Sequence, residues 1–191
     1  MENLEQFLHL KENNLAFIKG VEDGDGYVMK HRGCIEIGIT TEKKFQKLII
    51  SSLSRLYKNP KIEKHYTSDK VVKIYYMGLD MALKFFFDRH FENHPQRYNK
   101  LIELIHEFMR RDLKYLKSLR EGNKTVRDIE KEAMVTYRAA NIMMKKYIKS
   151  GFVISNNIYL KKTRRFYSNR VFKLSDKGNI LVNEILKKEA S

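Results

Sequence analysis

Residues 15–28 read LAFIKGVEDGDGYV, and the character of the stretch changes half-way. Up to Glu22 the spacing of Phe17, Ile18 and Val21 gives one apolar side of a helix. Asp23-Gly24-Asp25-Gly26 follows, a run that helices tolerate poorly. Tyr27-Val28-Met29-Lys30-His31 then has strand character. The stretch predicts a helix whose C-terminus delivers two carboxylates to the base of a sheet. Carboxylates are badly placed there, because the last carbonyls of a helix already carry partial negative charge. A bound cation would relieve that repulsion. A solvated Asp-Gly turn is the other reading of the same four residues.

Working outward, Tyr27–His31 and Cys34–Thr40 form a hairpin across Arg32-Gly33. Alternation sends Ile35, Ile37 and Ile39 to one face and Glu36, Gly38 and Thr40 to the other. Thr40 or Thr41 is the expected cap of a helix from Glu42 to Tyr57, with Phe45, Leu48, Ile49, Leu53 and Leu56 as its apolar stripe. Lys61–Thr67 and Lys70–Met77 make a second hairpin, with Val72, Ile74 and Tyr76 toward the core. Gly78 breaks the strand and Leu79–Phe91 reads as a helix. From Asn14 to Phe91 the predicted order is αββαββα, and the fold class is α+β.

The rest of the chain has a different grammar, so two domains are expected, 1–100 and 101–191. Tyr98–Arg120 is amphipathic, with Leu101, Ile105, Phe108, Leu113 and Leu116. Thr125 caps a short helix over Val126–Ala133, with Asp128 at the capping-box position. Thr136 caps Tyr137–Ser150, and Gly151 follows as its terminator. Phe152–Leu160 and Arg170–Leu174 are strands around a basic loop, KKTRRFYSN, and Ser175-Asp176-Lys177-Gly178 opens a last helix.

Composition narrows the function. The formal net charge is +15. Residues 1–100 hold 17 Lys and Arg against 13 Asp and Glu, whereas residues 101–191 hold 21 against 10. Between Ala133 and Ser175 there are ten Lys and Arg and no acid. A solvated face normally mixes signs, so a polyanion is the expected partner, nucleic acid before an anionic membrane. No apolar run approaches the ~18 residues of a membrane span, and the N-terminus lacks a signal-peptide pattern. A cytoplasmic, nucleoid-associated location is expected. Cys34 is the single cysteine, which excludes an internal disulfide, and the six His are scattered. No small-molecule cofactor is indicated.

Ile18 to Gly26, IKGVEDGDG, resembles the nine-residue motif of the LAGLIDADG homing endonucleases, particularly the intein-type variants, and the αββαββα order resembles their whole domain. The resemblance implies a four-stranded antiparallel saddle over the DNA major groove. It implies that Asp25, with Gly24, binds Mg²⁺ or Mn²⁺ beside the scissile phosphate. One motif copy implies a homodimer packed through Ile18, Gly20, Val21 and Gly24. Glu22 stands where the family usually has an apolar residue. The family's basic catalytic residue, usually Lys, lies after the last helix of the repeat, where Arg97 falls nearest and Lys100 comes one turn on. Arg stays protonated, so its part would be to stabilise anionic charge. The DNA-facing row would include Met29, His31, Glu36, Thr40, Lys61, Glu63, His65, Lys73 and Tyr75, with Glu36 able to accept from cytosine.

Residues 112–188 resemble a winged helix-turn-helix, on the strength of the T-V-x-x-I helix, the S-G-F-V step, the basic hairpin and K-L-S-D-K-G. That implies a recognition helix reading bases with Thr136, Tyr137, Arg138 and Asn141. Lys145, Lys146 and Lys149 would lie toward the backbone, and Lys161, Lys162, Arg164 and Arg165 would form the wing tip. Together the two resemblances imply a sequence-specific protein for double-stranded DNA. It is either a metal-dependent homing-type endonuclease, active as a homodimer, or a non-cleaving transcription regulator on the same scaffold.

Overall fold

The chain is a mixed α+β protein with two antiparallel sheets. The computed structural model describes residues 7–65, 68–162 and 165–190, with side chains for all of these but 159–162, 165–168 and 190. It divides into two units, Met1–Ile105 and His106–Ser191. Among the described residues no helix is long and apolar enough to cross a membrane.

In the first unit α1 (Lys11–Asp25) leads into β1 (Gly26–His31) and β2 (Cys34–Glu42). Then come α2 (Gln46–Leu56), β3 (Lys61–Lys64), β4 (Val71–Met77) and α3 (Leu79–Phe87). The sheet order is β1-β2-β4-β3. Arg32 and Gly33 both take left-handed backbone (φ 47° and 73°), the two-residue turn whose twist suits a tight hairpin. The β1–β2 register runs from Gly26↔Ile39 to His31↔Cys34. This puts Ile35, Ile37, Ile39, Val72, Ile74 and Tyr76 in the core, as alternation predicts.

Three local expectations give way. The helix does not stop at Glu22 but runs through Asp23 and Gly24 to Asp25. Neither Thr40 nor Thr41 caps α2; a 3-10 turn over Lys43–Phe45 precedes it, and Phe45 is 47% exposed rather than in the stripe. The helix after Gly78 ends at Phe87, and left-handed Arg89 and Phe91 turn the chain so that His90 and Phe91 are both fully buried. α4 (Pro95–Ser118) then begins with Pro at its first position, where the missing N–H costs nothing, and belongs to the second unit from His106 onward.

The second unit continues with β5 (Lys124–Thr125), α5 (Val126–Glu132) and α6 (Tyr137–Lys149). It ends with β6 (Val153–Lys162), β7 (Arg165–Leu174) and α7 (Asp176–Ala190), and its sheet order is β5-β7-β6. β7 starts five residues before Arg170, where the strand was expected to begin. Pairing with β6 carries the ladder from Val153↔Leu174 out to Lys162↔Arg165, so most of the expected basic loop is strand. Ile129, Ala140, Met144, Tyr147, Phe152 and Leu181 are among the residues that close this unit's core.

Candidate nucleic-acid interface

The end of α1 is held by Arg97. Its Nη1 donates to the carbonyl oxygens of Glu22 and Asp23 at 2.6 and 2.8 Å, and its Nη2 to that of Gly24 at 3.1 Å. A guanidinium therefore supplies the positive charge that the terminal carbonyls call for. This is why the helix survives Gly24 and extends to Asp25. Gly26 ends it by turning to extended backbone, and only glycine fits there, because a Cβ would collide with the carbonyl oxygen of Glu22 and lie 2.7 Å from the Phe91 ring.

Glu22 is buried, and its carboxylate meets Nδ1 of the equally buried His90. Nε2 of His90 lies 2.6 Å from the hydroxyl of Tyr57, which donates to Asp88 Oδ2 at 2.7 Å. Tyr57 has one proton and gives it to Asp88, so it accepts from His90, whose other ring nitrogen hydrogen-bonds Glu22. Burial raises the Glu22 carboxyl above its ordinary value, against the opposing pull of His90. This network was missed from sequence; a charged residue on the inward side of a helix was its only signal.

Gly24 and Asp25, the expected metal donors, are differently engaged within one chain. The Gly24 carbonyl is engaged by Arg97, Asp25 is exposed at the last helical position, and its carboxylate makes no hydrogen bond or ion pair among the described residues. No group of three His, Cys, Asp or Glu that could hold a metal occurs among the described residues. A divalent ion such as Mg²⁺ is held by one or two carboxylates together with waters and substrate phosphates, and of these one chain supplies the Asp25 carboxylate. Lys100 is one turn from Arg97 but pairs with Glu103 at 3.0 Å. Of the four residues expected at a dimer interface, Ile18 is fully buried in its own unit, Val21 is half-buried, and Gly20 and Gly24 are exposed with open space beside them.

On the sheet face away from the helices, Glu36 is not open to a base. It is 2% exposed and accepts from the Tyr27 hydroxyl at 2.8 Å and Lys73 Nζ at 3.4 Å, with His31 Nδ1 at 4.0 Å. Tyr27, paired with Gly38, reaches Glu36 only because Gly38 has no Cβ; one would stand 2.8 Å from the Tyr27 oxygen and 2.6 Å from the Ile74 carbonyl. Burial, then the bond to Glu36, pushes the Tyr27 phenol well above its usual range. Lys73 also stands 5.1 Å from the centre of the Tyr27 ring. Around this knot Thr40, Tyr75 and His65 are half-buried, while Lys61 and Glu63 on β3 are exposed opposite Tyr75 and Lys73.

In the second unit α6 buries Ala140, Met144 and Tyr147. At 100° per residue, the line opposite them carries Arg138, Ile142, Lys145 and Lys149, all exposed. Arg138, Lys145 and Lys149 make no ion pair or side-chain hydrogen bond among the described residues. Lys146 is tied to Asp112 at 2.7 Å. Thr136 is spent as the cap, its hydroxyl accepting from the Ala139 N–H at 3.2 Å, while Tyr137 is 50% exposed and Asn141 half-buried. A groove of about 480 Å³ lies between Thr125, Arg127, Tyr137, Asn169 and Arg170. Arg127 and Arg170 were not singled out from sequence; they lie outside the run of expected contacts and meet only through the fold. Lys161, Lys162 and Arg165 lie on the paired strands with their side chains outside the described set, and Arg164 lies outside the described residues.

No family model, no curated protein and no solved structure matches the chain.

Proposed function

We propose that the protein is a sequence-specific binder of double-stranded DNA that acts without cutting it, in the manner of a transcription regulator. The outward stripe of α6 carries this reading. Arg138, Lys145 and Lys149 stand free on the side opposite the core, within a stretch of 43 residues from Ala133 to Ser175 that contains no acid. The order helix, short strand, α5, α6, β6–β7 hairpin resembles a winged helix-turn-helix, in which the second helix of the pair enters the major groove. The first unit, with its αββαββα order and β1-β2-β4-β3 sheet, resembles the LAGLIDADG saddle and would add a second contact surface.

Arg97 separates the two forms of this reading. Its guanidinium engages the Gly24 carbonyl that the resemblance assigns to a divalent ion, which favours a regulator over a nuclease. The cleaving reading keeps one observation, the exposed and unengaged Asp25, and requires a second chain to complete a metal site. Selection from a random duplex library, followed by incubation of the selected duplex with Mg²⁺ or Mn²⁺, tests both. The expected result is a defined bound site and intact DNA. Cleavage that disappears in Asp25→Asn would establish the nuclease instead, and failure to enrich any sequence would remove the specific-binding claim.

A further inference from the structure

We propose that Ile142 reads the 5-methyl group of a pyrimidine base, which rests on the reading that α6 enters the major groove. Ile142 is 55% exposed at the middle of the outward stripe, with Arg138 one turn before it and Lys145 one turn after. Isolated exposed isoleucines need no explanation in general. This one stands at the centre of a face that is otherwise cationic and directed away from the unit's own core. With α6 in the major groove, this face of the helix, and Ile142 between Arg138 and Lys145 on it, is turned toward the base edges. Base edges in the major groove offer donors and acceptors everywhere except at one apolar group, the C5-methyl of thymine. An aliphatic side chain has nothing else there to recognise. Asn141, its neighbour on the half-buried side, has the paired donor and acceptor that fit adenine, so the two residues together would select an A·T-containing step. 5-Methylcytosine presents the same methyl group at the same depth and is the second source of this chemistry.

The test uses the full chain and the duplex it selects from a random library. Each thymine of that site is replaced in turn by uracil, which removes only the methyl. At one position the wild type should lose about four-fold in affinity, the worth of one methyl withdrawn from contact. Ile142→Ala, which sits on an exposed helical position and keeps helix propensity, should bind the thymine and uracil duplexes equally. If cytosine replaces that thymine, methylation of the cytosine should raise the affinity of the wild type by about the same four-fold and leave that of the variant unchanged. Wild-type binding that is indifferent to every thymine-to-uracil change and to methylcytosine overturns the assignment while leaving DNA recognition standing. Failure to select any duplex overturns both. Loss at the same base step in wild type and Ile142→Ala alike assigns the methyl to another residue.

Discussion

Arg97 does for α1 what its own sequence does not. The helix ends in Gly and Asp, has no basic residue in its last turn, and terminates in carbonyls that need donors. Three bonds from one guanidinium satisfy them, and each charge-assisted bond counts for more than a neutral one. Arg97→Met should therefore destabilise the protein by about 2–3 kcal/mol in urea titration, the scale of losing hydrogen bonds to a charged group. Lys in its place should recover less than half, because a point charge cannot bridge three carbonyls. Glu22 presents a different problem, a carboxyl raised by burial above its ordinary value of 4.5. The folded chain then keeps the proton over a range in which the unfolded chain has already released it. Its contribution to stability is full below 4.5 and declines as pH rises through the raised folded value. Melting temperatures of wild type and Glu22→Gln, compared from pH 4 upward, should separate in that direction, with the wild type losing ground as the pH climbs. A difference that stays flat with pH would sink this account.

At the scale of elements, the patterns that were legible are those with a short period. The Ile35-Ile37-Ile39 row, its partners on β4 and the Thr125–Asp128 box are all set by residues within a few positions of one another. The box forms as expected. Thr125 N–H donates to Asp128 Oδ2 at 2.8 Å, the Asp128 N–H donates back to Oγ1 at 3.3 Å, and bonds from the Thr125 hydroxyl and backbone hold the Asp128 carboxyl below its usual range. Thr125→Ala should cost about 1 kcal/mol. What stayed hidden depends on distant residues. The extension of α1 through Asp23-Gly24-Asp25 depends on an arginine 73 positions from Gly24, and the burial of Glu22 on a histidine 68 positions away. Local propensity argues against the first and hydrophobic patterning against the second. The burial of Glu36 was hidden for a related reason. Its outward alternation was correct, but Tyr27 lies across the adjacent Gly38 and covers it. Gly38→Ala would press a methyl against the Ile74 carbonyl and the Tyr27 hydroxyl in the middle of the sheet. A loss of about 1–3 kcal/mol is expected, as for other overpacked sites, and near-native stability would show that Tyr27 can move aside freely.

For the whole molecule, the uneven charge makes a claim about where a polyanion is gripped. Both halves are basic, but the ten cations between Ala133 and Ser175 have no acids among them, whereas 13 acids share the first 100 residues with 17 cations. A net-charge effect alone would attract DNA to any face and would not depend on which cations supplied it. Contact through α6 would depend on particular ones. Each phosphate neutralised contributes about −0.9 to the slope of log affinity against log salt. Replacing Arg138, Lys145 and Lys149 by Ala should therefore flatten that slope by about 2–3 if all three meet phosphates, or by less where one meets a base. Lys58, Lys84 and Lys114 are exposed as well, lie off α6, and remove the same formal charge when replaced together. They should lower affinity slightly at low salt and leave the slope within about 0.5 of the wild type. The comparison is informative because the two triple variants have identical net charge. Equal flattening by both would mean that DNA is held by the diffuse field of the protein and not by the α6 face. A steep slope retained when the α6 cations are gone would move the interface elsewhere, to the sheet of the first unit or to the groove beside Arg127 and Arg170.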